Sequence, residues 1–240
     1  MIAVQYLLLF FVILLFAVAY PLSGYYQQKI LSGRNSGQLP RKIHWYKMTM
    51  LWAWTPTIIV ITTVLLGGFR LRHLGLKPLN LSTSGLDNWI IILFVALYIV
   101  YICYNFYSLF SLKINPETRS RSLKQIPAGM RAMLPVTGLE RRGWILVSVT
   151  AGITEEVLYR GYLFFAIALL FPSIPIWVIL IISSFLFALG HIYQGKHSLK
   201  PALAGIFYGV FYIVFDSIVP VIFAHLLQDA VVLWLMKDSE

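Results

Sequence analysis

The residues in this chain that could do chemistry are few and lie close together. The stretch TEEVLYRG holds Glu155, Glu156 and Arg160, FALGH brings His191, and HLLQD brings His225, Gln228 and Asp229. All sit in otherwise apolar runs, where an ionisable side chain is costly and marks a site by default. On a helix, Glu156 and Arg160 are four apart and share a face, with the glutamate towards the N-terminus, which is the favourable order for a pair. That spacing gives the two a structural role. Glu155 is turned roughly 100° away from Glu156, which leaves its carboxylate available for acid–base work. His225 and Asp229 are also four apart, so the aspartate can fix the tautomer of the imidazole, or both can ligate a metal. His191 adds a third nitrogen or base. The set can activate a water, or it can hold an ion such as zinc through Glu155, His191, His225 and Asp229. No serine or cysteine stands beside a histidine in a convincing nucleophilic arrangement. The single cysteine, Cys103, offers neither a disulfide framework nor a thiolate metal site.

Such groups converge only if the helices that carry them pack around a wet cavity. The chain is suited to this. It has 240 residues, 59% hydrophobic and 12% charged, with a mean hydropathy of +0.79, against about 25% charged residues in soluble domains. It therefore reads as an all-α polytopic membrane helix bundle. A span needs about 20 mostly apolar residues, and the stretches 2–20, 48–67, 88–112, 143–170, 174–192, 201–216 and 218–236 qualify. An eighth is expected only if the 125–138 segment dips into the bilayer. Helices one to three, within residues 1–142, carry hydroxyls and aromatics, whereas the chemistry is confined to the last four, within 143–240. In the sixth, Ala202, Gly205 and Gly209 fall along one face, with the two glycines as a GxxxG pair that lets backbones approach.

The formal net charge of +10 would point to nucleic acid in a soluble protein. Here the basic residues lie in short loops between spans, so no nucleic-acid partner is expected. Fifteen of the nineteen lysines and arginines fall on one side: the 21–47 and 113–142 loops with Lys196, Lys200 and Lys237. The positive-inside rule makes that side cytoplasmic, with the N-terminus outside and the C-terminus inside. No lysine or arginine precedes the first apolar run, so residues 1–19 are expected as a retained helix rather than a signal peptide.

In order and each on an expected span, EEVLYR, FALGH and HLLQD match the motifs EExxxR, FxxxH and HxxxN/D. Over residues 143–236 the chain resembles the CPBP family, the type II CAAX prenyl endopeptidases and bacteriocin-processing or immunity proteins also called the Abi family. The resemblance implies an intramembrane endopeptidase, often labelled a metalloprotease, whose substrate is a membrane-associated protein or peptide. It implies that Glu155 acts with His191 to activate water, and that His225 and Asp229 lie near the oxyanion. Asp229 departs from the prenyl endopeptidase branch, which usually has asparagine there, and an ionised aspartate would repel an oxyanion. No cofactor is expected, with zinc as the alternative. Two other readings of the residues stand beside the protease: a non-enzymatic membrane scaffold or immunity protein, and a proton-coupled transporter. One difficulty accompanies the protease. With helix four starting at residue 143, Glu155 lies roughly 18 Å in from its cytoplasmic end, yet His191 is near the cytoplasmic end of helix five.

Overall fold

The computed structural model describes residues 2–31, 39–83, 85–126 and 128–236. Arg34 and Lys237, counted among the basic loop residues, lie outside them. Among the described residues every regular element is helical. The first rod joins α1 (Ile2–Leu14) to α2 (Tyr20–Leu31) through a π turn at Leu15–Ala19. Then come α3 (Leu39–Leu66), α4 (Asn88–Ile114) and the short α5 (Pro116–Lys124) and α6 (Ala128–Arg131). The fourth rod joins α7 (Gly138–Glu155) to α8 (Leu163–Leu170) through a π segment, Glu156–Tyr162. The chain ends in α9 (Ile176–Gly190), a 3₁₀ segment (Ile192–Ser198), α10 (Leu199–Phe215), α11 (Val219–Ala230) and a 3₁₀ turn (Val231–Trp234).

Each of the seven expected stretches is helical. Three helices, Ile2–Tyr26, Lys42–Leu66 and Asn88–Ile114, are long and apolar enough to cross a membrane, while Ile176–Gly190, Leu199–Phe215 and Val219–Trp234 are apolar but shorter. The 125–138 segment, the candidate eighth span, holds only the four-residue α6. The protein is thus an all-helical integral membrane protein. Its outer surface is apolar where it meets lipid. In the apolar window of α4, 6% is buried inside the fold.

The fourth rod is the axis of the bundle. Leu158, Tyr159, Tyr162, Leu163 and Ala166 are almost wholly buried, and Phe16 of the first rod stacks on Tyr159 with ring centroids 4.0 Å apart. Its start is fixed by local chemistry. Thr137 caps α7, accepting from the Glu140 amide at 3.3 Å, while Glu140 Oε2 accepts from the amides of Thr137 and Val136 at 3.0 and 2.6 Å. This reciprocal arrangement satisfies amides that a helix start otherwise leaves open. The other oxygen of Glu140 lies 3.3 Å from Lys42 Nζ, and Lys42 also donates to Leu134 O at 3.0 Å. Lys42, which hydropathy assigns to a loop, is therefore buried at the foot of α3 and clamps α3 to α7.

Sequence and packing also agree on the glycines of α10. A Cβ at Gly205 would meet Phe187 at 3.3 Å and the Ser184 backbone at 3.5 Å, and one at Gly209 would fall 2.2 Å from Leu180 Cδ1. The small residues seat α10 on α9. Gly161 is less forgiving, because a Cβ there would lie 2.6 Å from the carbonyl oxygen of Leu74, and backbone cannot step aside as a side chain can. Gly161→Ala is expected to destabilise the fold by about 1–3 kcal/mol, as overpacking does, which a several-degree fall in Tm in detergent would register. An unchanged Tm would show that the Leu74 loop can give way.

Candidate active site

The π segment begins where the chemistry begins. A π turn bonds each amide five residues back instead of four, and the amide of Leu163 reaches Leu158 O in this way. Glu155 is the last residue of the α-helical stretch and Glu156 the first of the π segment.

Glu156 and Arg160 are both fully buried, and Arg160 Nη1 donates to Glu156 Oε1 at 2.9 Å. Arg160 Nη2 donates to Gly205 O at 3.0 Å, a carbonyl brought within reach because Gly205 has no side chain. The guanidinium lies over the ring of Phe187 at 4.6 Å and that of Tyr208 at 5.4 Å. The pair does more than neutralise itself. Glu156 Oε1 also lies 2.8 Å from His225 Nδ1. A carboxylate only accepts, so Nδ1 carries the proton and donates. Glu156 therefore orients His225 across sixty-nine residues of sequence. Sequence spacing offers that role to Asp229, but Asp229 is instead on the other edge of the ring, with Oδ2 at 3.8 Å from Nε2. Glu155 Oε2 stands at the same 3.8 Å from Nε2. Neither distance is a hydrogen bond.

His191 closes the other side. It follows α9 directly, and its Nδ1 donates to the carbonyl of Phe187, one turn back, at 2.8 Å. That bond leaves Nε2 with a free lone pair. Phe187 lies between three of these groups: its ring is 4.7 Å from His191, 6.3 Å from His225 and 4.6 Å from Arg160. The spacing of FALGH thus serves two purposes, a carbonyl for the histidine and a ring for the cation.

Glu155, His191 and Asp229 border one cavity of about 750 Å³, and His225 is buried behind the two carboxylates. Glu155 Oε2 has no hydrogen-bond partner. The structure therefore brings together all four residues singled out for chemistry, with Glu156 and Arg160 supporting them. The depth difficulty dissolves in the helix lengths. Glu155 lies roughly 22 Å before the end of α8, and His191 roughly the same distance after the start of α9. The two helices form a hairpin around residues 171–175, so their working residues meet at one height. α9 stops there, and α7 runs on beside α3 and α11.

Sequence reasoning passed over the wall of the cavity. Tyr20, Trp45, Trp52, Tyr104 and Tyr107 come from the first three rods, which apolar periodicity presents only as membrane spans. Among the described residues no group of three or more histidine, cysteine, aspartate or glutamate side chains is placed to hold a metal ion. Of the four, His225 has Nδ1 taken by Glu156 and turns its Nε2 edge to Glu155 and Asp229, each 3.8 Å away.

An all-helical membrane protein with a buried glutamate–histidine centre facing a cavity is the class that fold and site define. Residues 139–231 match the family described as Rce1-like, type II CAAX prenyl endopeptidase Rce1-like. This segment contains Glu155, Glu156, Arg160, His191, His225 and Asp229, and the match agrees with the likeness of their motifs to CPBP proteins. No curated protein and no solved structure matches the chain.

Proposed function

We propose that the protein is an intramembrane endopeptidase that hydrolyses a peptide bond of a membrane-associated protein or peptide, with water as the nucleophile. The observation that carries this reading is the partnerless Oε2 of Glu155, buried at the edge of a cavity that also receives His191. A water held between Glu155 and the free Nε2 of His191 gives up a proton to Glu155 as its oxygen attacks the substrate carbonyl carbon. The C–O bond forms, and the carbonyl electrons move onto oxygen. Glu155 then returns the proton to the leaving amine as the C–N bond breaks. The developing oxyanion accepts from the Nε2–H of His225 in its doubly protonated form, whose Nδ1–H goes to Glu156. Asp229 faces that same edge and sets its polarity. No step needs a metal.

The site is reached from the cytoplasmic side, with the N-terminus outside and the C-terminus inside, as the basic loops favour. Membrane lipids and a membrane-associated substrate are the partners. The test works with the substrate unidentified. Membranes from cells expressing the wild-type chain or Glu155→Gln are compared by N-terminal labelling and mass spectrometry. New N-termini dependent on Glu155 support the protease; an identical set in both, with the cellular phenotype kept, favours a scaffold.

A further inference from the structure

The ionisable residues of the site come from residues 139–231, yet the ring packed against His225 is braced from outside that segment. Tyr101 of α4 places its hydroxyl 2.9 Å from the hydroxyl of Tyr208 in α10. Tyr208 in turn donates to Gln228 Oε1 of α11 at 2.8 Å, and Tyr101 also hydrogen-bonds to Gln228 Oε1. Two hydroxyl protons fill two of the three contacts at a time, and removing either hydroxyl leaves a single one. Tyr208 is almost wholly buried. Its ring lies 5.2 Å from that of His225, tilted by 33°, with the Arg160 guanidinium 5.4 Å from it. The face of His225 is thus set by a ring whose hydroxyl this triangle anchors, while Glu156 fixes one edge. α4 is otherwise largely turned to lipid.

We infer that Tyr101 is a positioning residue for the proposed hydrolysis: through the Tyr208 hydroxyl and Gln228 it holds the ring against which His225 is oriented. The inference rests on the protease reading, in which His225 meets the oxyanion. It gives α4, which already lines the cavity with Tyr104 and Tyr107, a second part in the working site.

A built-in control is one helical turn away. Tyr98, also on α4, donates to Pro220 O at 2.9 Å, which ties α4 to α11 equally well but does not touch Tyr208. The experiment takes the full chain, labelled with ¹⁵N-histidine, in lipid nanodiscs. The His225 ring resonances are identified by their loss in His225→Gln. Tyr101→Phe and Tyr208→Phe are expected to move those resonances, and Tyr98→Phe to leave them in place. In the N-terminal labelling assay, Tyr101→Phe is expected to slow product formation about tenfold, the scale of one unsatisfied buried polar contact. The rate of Tyr98→Phe should stay within about twofold of wild type. The double variant Tyr101→Phe/Tyr208→Phe should lose little more than either single variant, as members of one network do. Unmoved His225 resonances in Tyr101→Phe, or an equal shift in Tyr98→Phe, would overturn the inference while Glu155→Gln remained inactive. Cleavage surviving in Glu155→Gln would instead sink the protease reading, and this inference with it.

Discussion

Glu155→Gln is expected to abolish product formation, with a loss on the order of 10²- to 10⁴-fold, the usual contribution of a positioned general base. Glutamine keeps the shape of the side chain but cannot take up the proton of water or return it to the leaving amine. The fold should not notice the change. The Oε2 of Glu155 makes no hydrogen bond, and about a quarter of the side chain is exposed, so neither a buried partner nor a buried charge pair is lost. An unchanged Tm beside a missing product is therefore the diagnostic combination. Glu155→Asp should fall between the two, because the shortened carboxylate draws back from the water shared with His191. Wild-type rates in Glu155→Gln would remove Glu155 from the chemistry.

Arg160→Met is expected to cost the most stability. Glu156 is fully buried, and removing its cation leaves an uncompensated charge in the interior, which costs about 3–5 kcal/mol when a buried pair is broken. For a chain of this size that corresponds to a fall of roughly 10 °C in Tm. Gly205 O loses its donor at the same time. The second half of the prediction separates packing from function. Adding Glu156→Leu to Arg160→Met removes the orphaned carboxylate, and well-packed apolar replacements of buried ion pairs are often neutral or stabilising. The double variant should recover most of the lost Tm. It should not recover cleavage, because His225 Nδ1 then has no acceptor at 2.8 Å. A single variant as stable as wild type would show that Glu156 is neutralised without Arg160. A double variant with full activity would show that Glu156 does not orient His225.

The GxxxG face of α10 and the EExxxR pair show what can be read along one helix. Both depend on residues three or four apart, and helical geometry alone brings those together. The match between Glu155 and His191 was legible in principle. Each is the same distance from the turn at 171–175, and a hairpin makes equal counts equal heights. The starting point of helix four obscured it: hydropathy begins the helix at 143, whereas the capping box at Thr137 and Glu140 begins it at Gly138.

The sequence by itself determined a helical membrane protein, the Glu156–Arg160 pair, and the six residues that the candidate site brings together. Helix period and hydropathy are local properties, and they do not depend on how distant parts of the chain pack. Only the tertiary structure decided which carboxylate orients His225, and that Tyr101 meets Tyr208 and Gln228. Those relations depend on the azimuth and depth of one helix against another. Packing sets both, through the absence of side chains at Gly205 and Gly209 and the wider turn at Glu156–Tyr162. Glu156 therefore meets an imidazole that lies far away in sequence, while Asp229, four residues from that imidazole, faces its other edge.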